Sequence, residues 1–316
     1  MSASVGGSAV EVFCNRQAIL AEGPFYDGIT NELIWVDILN NTVNFTNVDS
    51  KHTRSISLPE NVGSAIPMEG SASQMVALVG RKVCIVDRQT GETQHQLALA
   101  DQDYPKNRMN DGKCDARGRL WCGTMGYEKS PGEPVSSEGS LYCYDGVTHM
   151  LTRKVTDVCV SNGMAWSPGN TKMYYIDSGP RKLWSFDFDD ASGCLTNRQV
   201  LVDFHDKGVG IPDGMCTDSE GRLWVAGFFG AAVSCWDPAT GELLAKIEFP
   251  ARRTTSCCFG GPDFGWMFVT TARVGAGEEE LSEYPLSGAV FLVREVPFGA
   301  KGVPPSPFKW AVKSMV

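Results

Sequence analysis

Asp115-Ala-Arg-Gly-Arg-Leu-Trp121 and Asp218-Ser-Glu-Gly-Arg-Leu-Trp224 are two nearly identical heptads in one chain of 316 residues. Each is an acidic turn pivoting on glycine that runs into a strand headed by leucine and tryptophan. Near-identity at two distant places marks an internal repeat, and a repeat constrains architecture more tightly than local propensity does. Four further stretches share the plan with weaker identity: residues 28–36, 70–78, 168–176 and 261–269. Anchored on Leu33, Met75, Leu120, Met173, Leu223 and Met267, the units follow one another at 42, 45, 53, 50 and 44 residues. That is the length of one four-stranded propeller blade.

A second unit trails each anchor, at residues 42–49, 82–91, 140–146, 182–193, 232–241 and 288–294. Apolar and polar residues alternate there, often ending in Asp and a Gly turn, which is the signature of a half-buried hairpin. Helical periodicity is hard to find, and glycine is abundant at 34 residues. The pattern predicts an all-β chain: a six-bladed β-propeller with four-stranded blades around a central tunnel. Residues 9–302 are expected to form this single domain, with 1–8 a flexible N-terminal arm and 303–316 a C-terminal tail. The stretch 10–20 precedes the first anchor and is placed to supply a strand to the last blade, closing the ring.

Composition narrows the function. With 42% hydrophobic and 21% charged residues the chain is of ordinary globular make-up and can bury a large core. A net charge of −9 and the lack of any basic run longer than three residues argue against nucleic-acid and anionic-membrane partners. No eighteen-residue apolar run spans a membrane, and the start of the sequence does not read as a signal peptide. The eleven cysteines are odd in number and scattered, with no Cys-x-x-Cys pair. They read as buried free thiols in a reducing cytosol, so a cytoplasmic protein is expected.

Ten or eleven residues before each anchor stand Glu22, Ser64, Asn110, Asn162, Asp213 and Ser256. If the anchors are equivalent strands, these six lie at equivalent positions on the innermost strand of each blade and face a common axis. Singly, Asn-Gly and Asp-Gly are turn pairs; six in one register outweigh that reading. Carboxylates crowded at an axis repel one another and resist desolvation unless a cation neutralises them. Oxygen donors suit a hard divalent ion. None of the four histidines, His52, His95, His149 and His205, belongs to the ring.

At these residues the chain resembles the senescence-marker-protein / gluconolactonase / luciferin-regenerating-enzyme family, and within it the regucalcin-like lactonases. The stretches that carry the resemblance are Ala21-Glu-Gly-Pro24, Arg108-Met-Asn-Asp-Gly-Lys113, Gly123-Thr-Met125, Ser161-Asn-Gly163, Tyr174-Tyr-Ile-Asp-Ser178, Ile211-Pro-Asp-Gly-Met215 and Thr254-Thr-Ser-Cys-Cys-Phe-Gly-Gly261. It implies a six-bladed propeller with one divalent metal ion in the tunnel, Ca²⁺ first, with Zn²⁺, Mn²⁺ and Mg²⁺ as alternatives. Glu22, Asn162 and Asp213 are its implied ligands, and Asp213 the implied general base. Arg108 and Asn110 match residues that hold sugar hydroxyls, and Glu128 falls where the family carries a further substrate-contacting Glu. Residues 126–138 diverge from the family pattern and form the variable lid.

The expected chemistry is hydrolysis of a small-molecule cyclic ester, a sugar lactone in the gluconolactonase manner. The metal would polarise the carbonyl while Asp213 takes a proton from water or orients a metal-activated hydroxide. Nucleophilic catalysis fits poorly: Ser161 and Ser256 have no Asp-His partners in sequence, there is no Gly-x-Ser-x-Gly elbow, and Cys257-Cys258 has no histidine nearby. A nucleotide cofactor lacks its Gly-rich loop. Two readings stand beside the lactonase: a hydrolase of another ester or an organophosphate on the same site, and a non-catalytic calcium-binding or regulatory propeller.

Overall fold

The two heptads fold alike, and their hydrogen bonds explain their near-identity. Asp115 Oδ1 accepts from the backbone N–H of Arg117 (3.0 Å) and of Arg119 (3.1 Å), while Oδ2 accepts from Arg119 Nε (2.7 Å) and the Trp121 indole N–H (2.9 Å). Asp218 repeats the set with Glu220 N–H (3.0 Å), Arg222 N–H (2.9 Å), Arg222 Nε (2.7 Å) and Trp224 Nε1 (3.0 Å). Gly118 and Gly221 turn at φ 77° and 86°, a left-handed region that glycine enters without steric cost. A buried carboxylate must have its oxygens occupied, so Asp, Gly, Arg and Trp come as a set. Each tryptophan is driven fully into the space between two blades.

The computed structural model describes residues 3–5, 10–130, 133–134 and 136–311. Six blades, each built on four antiparallel strands and one per predicted unit, form a six-bladed propeller; Glu128–Ser130 and Glu133–Pro134 pair in a separate two-stranded ribbon. Their innermost strands are Ala21–Asp27, Val62–Pro67, Arg108–Cys114, Ser161–Trp166, Ile211–Thr217 and Arg253–Gly260, which define blades 1 to 6. Second strands are apolar on both faces; Leu120–Met125 is buried throughout, because each blade packs against a neighbour on either side. Six separate apolar cores result, one per interface. Trp121 packs with Met164, Tyr175 and Phe188 between blades 3 and 4, and Trp224 with Phe259 and Phe291 between blades 5 and 6.

The ring closes as the sequence predicts. Val10–Cys14 pairs antiparallel with Val290–Val293 as the outermost strand of blade 6, so hydrogen bonds between the two ends of the domain hold it shut. Ala3–Val5 runs parallel beside Leu243–Glu248 as a fifth strand on blade 5. Residues 1, 2 and 6–8 of the expected arm, residue 9 at the start of the expected domain, 131, 132 and 135 of the lid and 312–316 of the tail lie outside the described residues. The described part of the tail straps blades 2 and 3. Phe308 is buried, its N–H donates to Pro67 O (2.9 Å), and Lys309 N–H donates to Gly118 O (3.0 Å). Among the described residues no helix is long and apolar enough to cross a membrane.

Candidate active site

Every inner strand breaks register with its neighbour at or directly beside the position where the sequence puts a polar residue. The irregularities fall between Glu22 and Phe25, Val62 and Ala65, Met109 and Gly112, Ser161 and Met164, Pro212 and Met215, and Thr254 and Ser256. Such bulges release residues from the ladder and re-aim their side chains. The Asn-Gly and Asp-Gly pairs are thus mid-strand bulges rather than turns. The glycines are needed because adjacent inner strands touch there: a Cβ on Gly163 would sit 2.6 Å from Met215 N and 2.7 Å from Asp213 O, and one on Gly214 2.7 Å from Ser256 Cα.

The bulges gather four of the six ring residues at one end of the tunnel. Glu22, Asn110, Asn162 and Asp213 line a cavity of about 280 Å³ together with Arg108 and Glu128. Ser64 and Ser256 do not join them; they open to a second cavity of about 380 Å³ toward the other end, with Asp111, Lys113 and tail residues 303–306. Ser64 Oγ is engaged with Gly112 O at 3.0 Å.

Hydrogen bonds fix the amides. Arg108 Nη1 donates to Asn110 Oδ1 (2.7 Å) and Met109 O (3.1 Å), and its Nη2 lies 4.0 Å from Glu128 Oε2. Asn110 Nδ2 donates to Asn162 Oδ1 (2.9 Å) and Ser161 O (2.9 Å). Asn162 Nδ2 donates to Ser178 Oγ (2.8 Å), which donates to Pro212 O (2.6 Å), next to Asp213. A continuous chain from Arg108 to blade 5 therefore sets the Asn162 amide with its oxygen on the Asn110 side. Ser178 is a participant that sequence reasoning quoted within a strand motif without assigning it a role.

The carboxyls are the strained part. Glu22 and Asp213 lie close enough to share a hydrogen bond when one is protonated. Burial first, then the Asp111 charge, pushes the Glu22 carboxyl up to about 8, against a pull from the Gly23 N–H (2.9 Å). Burial, then the Glu22 and Asp111 charges, holds the Asp213 carboxyl well above the usual carboxylate range. Asp111 is itself raised by burial, a third tunnel carboxylate that the sequence offered only as the middle of Asn110-Asp111-Gly112. Arg108 is lowered by burial, opposed by Glu128, Glu22 and Asp213.

The donor set fits a divalent cation on these grounds: two buried carboxyls that cannot both ionise in isolation, beside an oriented amide oxygen. Among the described residues no three His, Cys, Asp or Glu side chains converge as ligands, so a cage here draws its remaining donors from amide and water. The cysteines are free thiols; Cys216 and Cys257 approach to 3.5 Å between Sγ atoms at the other end of the tunnel.

Comparison with known proteins agrees with this fold. Residues 20–273 match the family model described as SMP-30/Gluconolactonase/LRE-like region. Regucalcin of Sus scrofa is 37% identical over 303 residues, covering 95% of this chain and 99% of that protein. Among solved structures, a luciferin-regenerating enzyme superposes with a TM-score of 0.88 at 30% identity, covering 96% of this chain and 100% of that one. A protein described as calcium-binding, a regucalcin of Agrobacterium tumefaciens, gives 0.87 at 26% identity over 98% and 99%.

Proposed function

From the premise that this chain belongs to the SMP-30/gluconolactonase/LRE-like family, we propose that it is a divalent-metal-dependent lactonase acting at the tunnel mouth. A single observation carries the reading: Glu22, Asp213 and the Asn162 amide are buried and line one cavity, the amide oriented by a hydrogen-bond chain and both carboxyls with strongly raised pKa values. Perturbed carboxyls converging in a cleft mark functional sites.

Glu22, Asn162 and Asp213 would hold the cation, whose chemistry when bound is Lewis-acid polarisation of the ester carbonyl. Asp213 accepts a proton from the attacking water as the water oxygen bonds to the carbonyl carbon. The ring C–O bond then breaks, the proton passes to the leaving ring oxygen, and a hydroxy acid results. Arg108 presents a planar donor fork beside Asn110, positioning the ester and steadying its carbonyl side. Glu22, Asn110, Asn162 and Asp213 are buried, and the lower dielectric around them strengthens each of these interactions.

The test is acid release from D-glucono-δ-lactone, the lactone class that the family description points to first, and from simple alkyl lactones. Turnover is expected with added Ca²⁺ or Mn²⁺, lost on chelation, and lowered by roughly 100-fold or more in Asp213→Ala. Undiminished turnover in Asp213→Ala defeats the reading. Tight Ca²⁺ binding without hydrolysis of any ester favours the second reading, a calcium-binding propeller, to which the same donor set and the description of the Agrobacterium tumefaciens relative lend support.

A further inference from the structure

The floor and the wall of the active-site cavity differ in chemistry. The floor is the polar cluster already described. The wall above it over blades 5, 6 and 1 is apolar, built from Ile211, Phe228, Val274, Leu20 and Leu39. These residues share one face of the propeller by topology: each sits where an inner strand starts or a second strand ends. Leu39 is 37% exposed, an apolar side chain kept at a rim where solvent would favour a polar one.

A ring hydroxylated all round would find side-chain partners on the floor and on the side of Arg108, Glu128 and Arg181, and none along the apolar wall. Asn110 spends its oxygen on Arg108 and its amide hydrogens on Asn162 and Ser161 O. Ser178 both accepts and donates within the protein, whereas Arg108 spends only its Nη1 on Asn110 and Met109 O and keeps Nη2 for the polar head of a ligand. Ring hydroxyls turned toward Leu39, Phe228 and Val274 would lose water without gaining partners, a cost that buried polar groups do not bear lightly. An alkyl group in the same place removes apolar surface from water on both sides.

Resting on the lactonase reading, we infer that the preferred substrate is a lactone bearing an alkyl arm of several carbons, seated against Phe228, Leu39 and Val274, rather than a sugar lactone. The ester head lies over Asp213 with Arg108 on its polar side, and the arm leaves along the apolar wall of blades 5, 6 and 1.

The experiment uses the Ca²⁺-loaded full chain and a homologous series of γ-lactones whose side chain grows from methyl to octyl, with D-glucono-δ-lactone in parallel. The expected result is kcat/KM rising about two- to fourfold per added methylene over the first few carbons, with alkyl lactones overtaking the sugar lactone. Leu39→Asn and Phe228→Asn should each flatten that slope. A slope of zero in the unsubstituted protein, or preference for the sugar lactone over every member of the series, overturns the inference. If no ester is turned over, the lactonase reading fails by itself. Calorimetric binding of the same series then decides the apolar arm: affinity that climbs with chain length upholds it, and affinity indifferent to length sinks it.

Discussion

Asn110 shows how one amide governs a site whose charges sit elsewhere. It touches neither carboxyl in the hydrogen-bond chain, yet it receives Arg108 at 2.7 Å and passes a hydrogen to Asn162 at 2.9 Å. Without it the Asn162 side chain loses the partner that sets its orientation, and Arg108 loses the acceptor that holds its fork. Groups that orient metal ligands are typically worth 10- to 100-fold in affinity. Asn110→Ala is therefore expected to weaken Ca²⁺ binding by about 10- to 100-fold in a calorimetric titration while leaving Glu22 and Asp213 in place. Binding of unchanged strength would show that Asn162 is held without this neighbour. The participation of Asn110 was legible in the sequence from its register, and its position beside Arg108 came with the family resemblance. Its link through Ser178 to Pro212 was not legible, since Ser178 follows a second strand and belongs to no counted position.

The bulged inner strand is the element that turns a repeat into a site. A regular strand alternates sides, so Asn110 and Asp111 would face opposite ways; the break between Met109 and Gly112 brings both into the tunnel, one toward each cavity. The bulge depends on the glycine behind the polar residue. Gly163→Ala would push a Cβ against Met215 N and Asp213 O, backbone atoms that cannot swing aside. The expected cost is about 1–3 kcal/mol in urea unfolding, the usual price of overpacking. Gly169→Ala, on a surface turn where the nearest heavy atom is Thr171 Oγ1 at 4.0 Å, should stay within about 0.5 kcal/mol. Equal costs at the two positions would deny the close approach of blades 4 and 5. The anchor turns were legible because Asp115 and Asp218 must recruit the same Gly, Arg and Trp to satisfy a buried carboxylate, which leaves near-identical letters behind. The bulges were not, because Asn-Gly and Asp-Gly carry the same letters in a turn as in a strand break. For the same reason a count along the chain brought six side chains to one axis without telling that Ser64 and Ser256 face the other end.

At the scale of the whole molecule, the tunnel carboxyls set the ring of blades against itself. Six inner strands converge, and three of them bury Glu22, Asp111 and Asp213 along the tunnel. In the cation-free protein this is a pH-dependent burden with a definite sign. Glu22 moves from the ordinary 4.5 to about 8 on folding, so between those values the folded state holds a proton that the unfolded chain has released. Stability then falls as pH rises: the contribution is complete below about 4.5 and gone once pH passes through about 8. Asp213 and Asp111 shift in the same direction and deepen the fall. A bound divalent ion replaces the missing proton and should cancel most of the loss. Metal-stripped protein is expected to lose on the order of a few kcal/mol between pH 5 and pH 8, seen as a falling melting temperature by calorimetry. Added Ca²⁺ should raise the melting temperature little at pH 5 and by several degrees at pH 8. Glu22→Gln should flatten the metal-free profile, because the amide carries no charge to desolvate. A stripped protein whose melting temperature is level or climbing from pH 5 to pH 8 would mean that the three carboxyls are solvated, and that the propeller has no need of a cation at its axis.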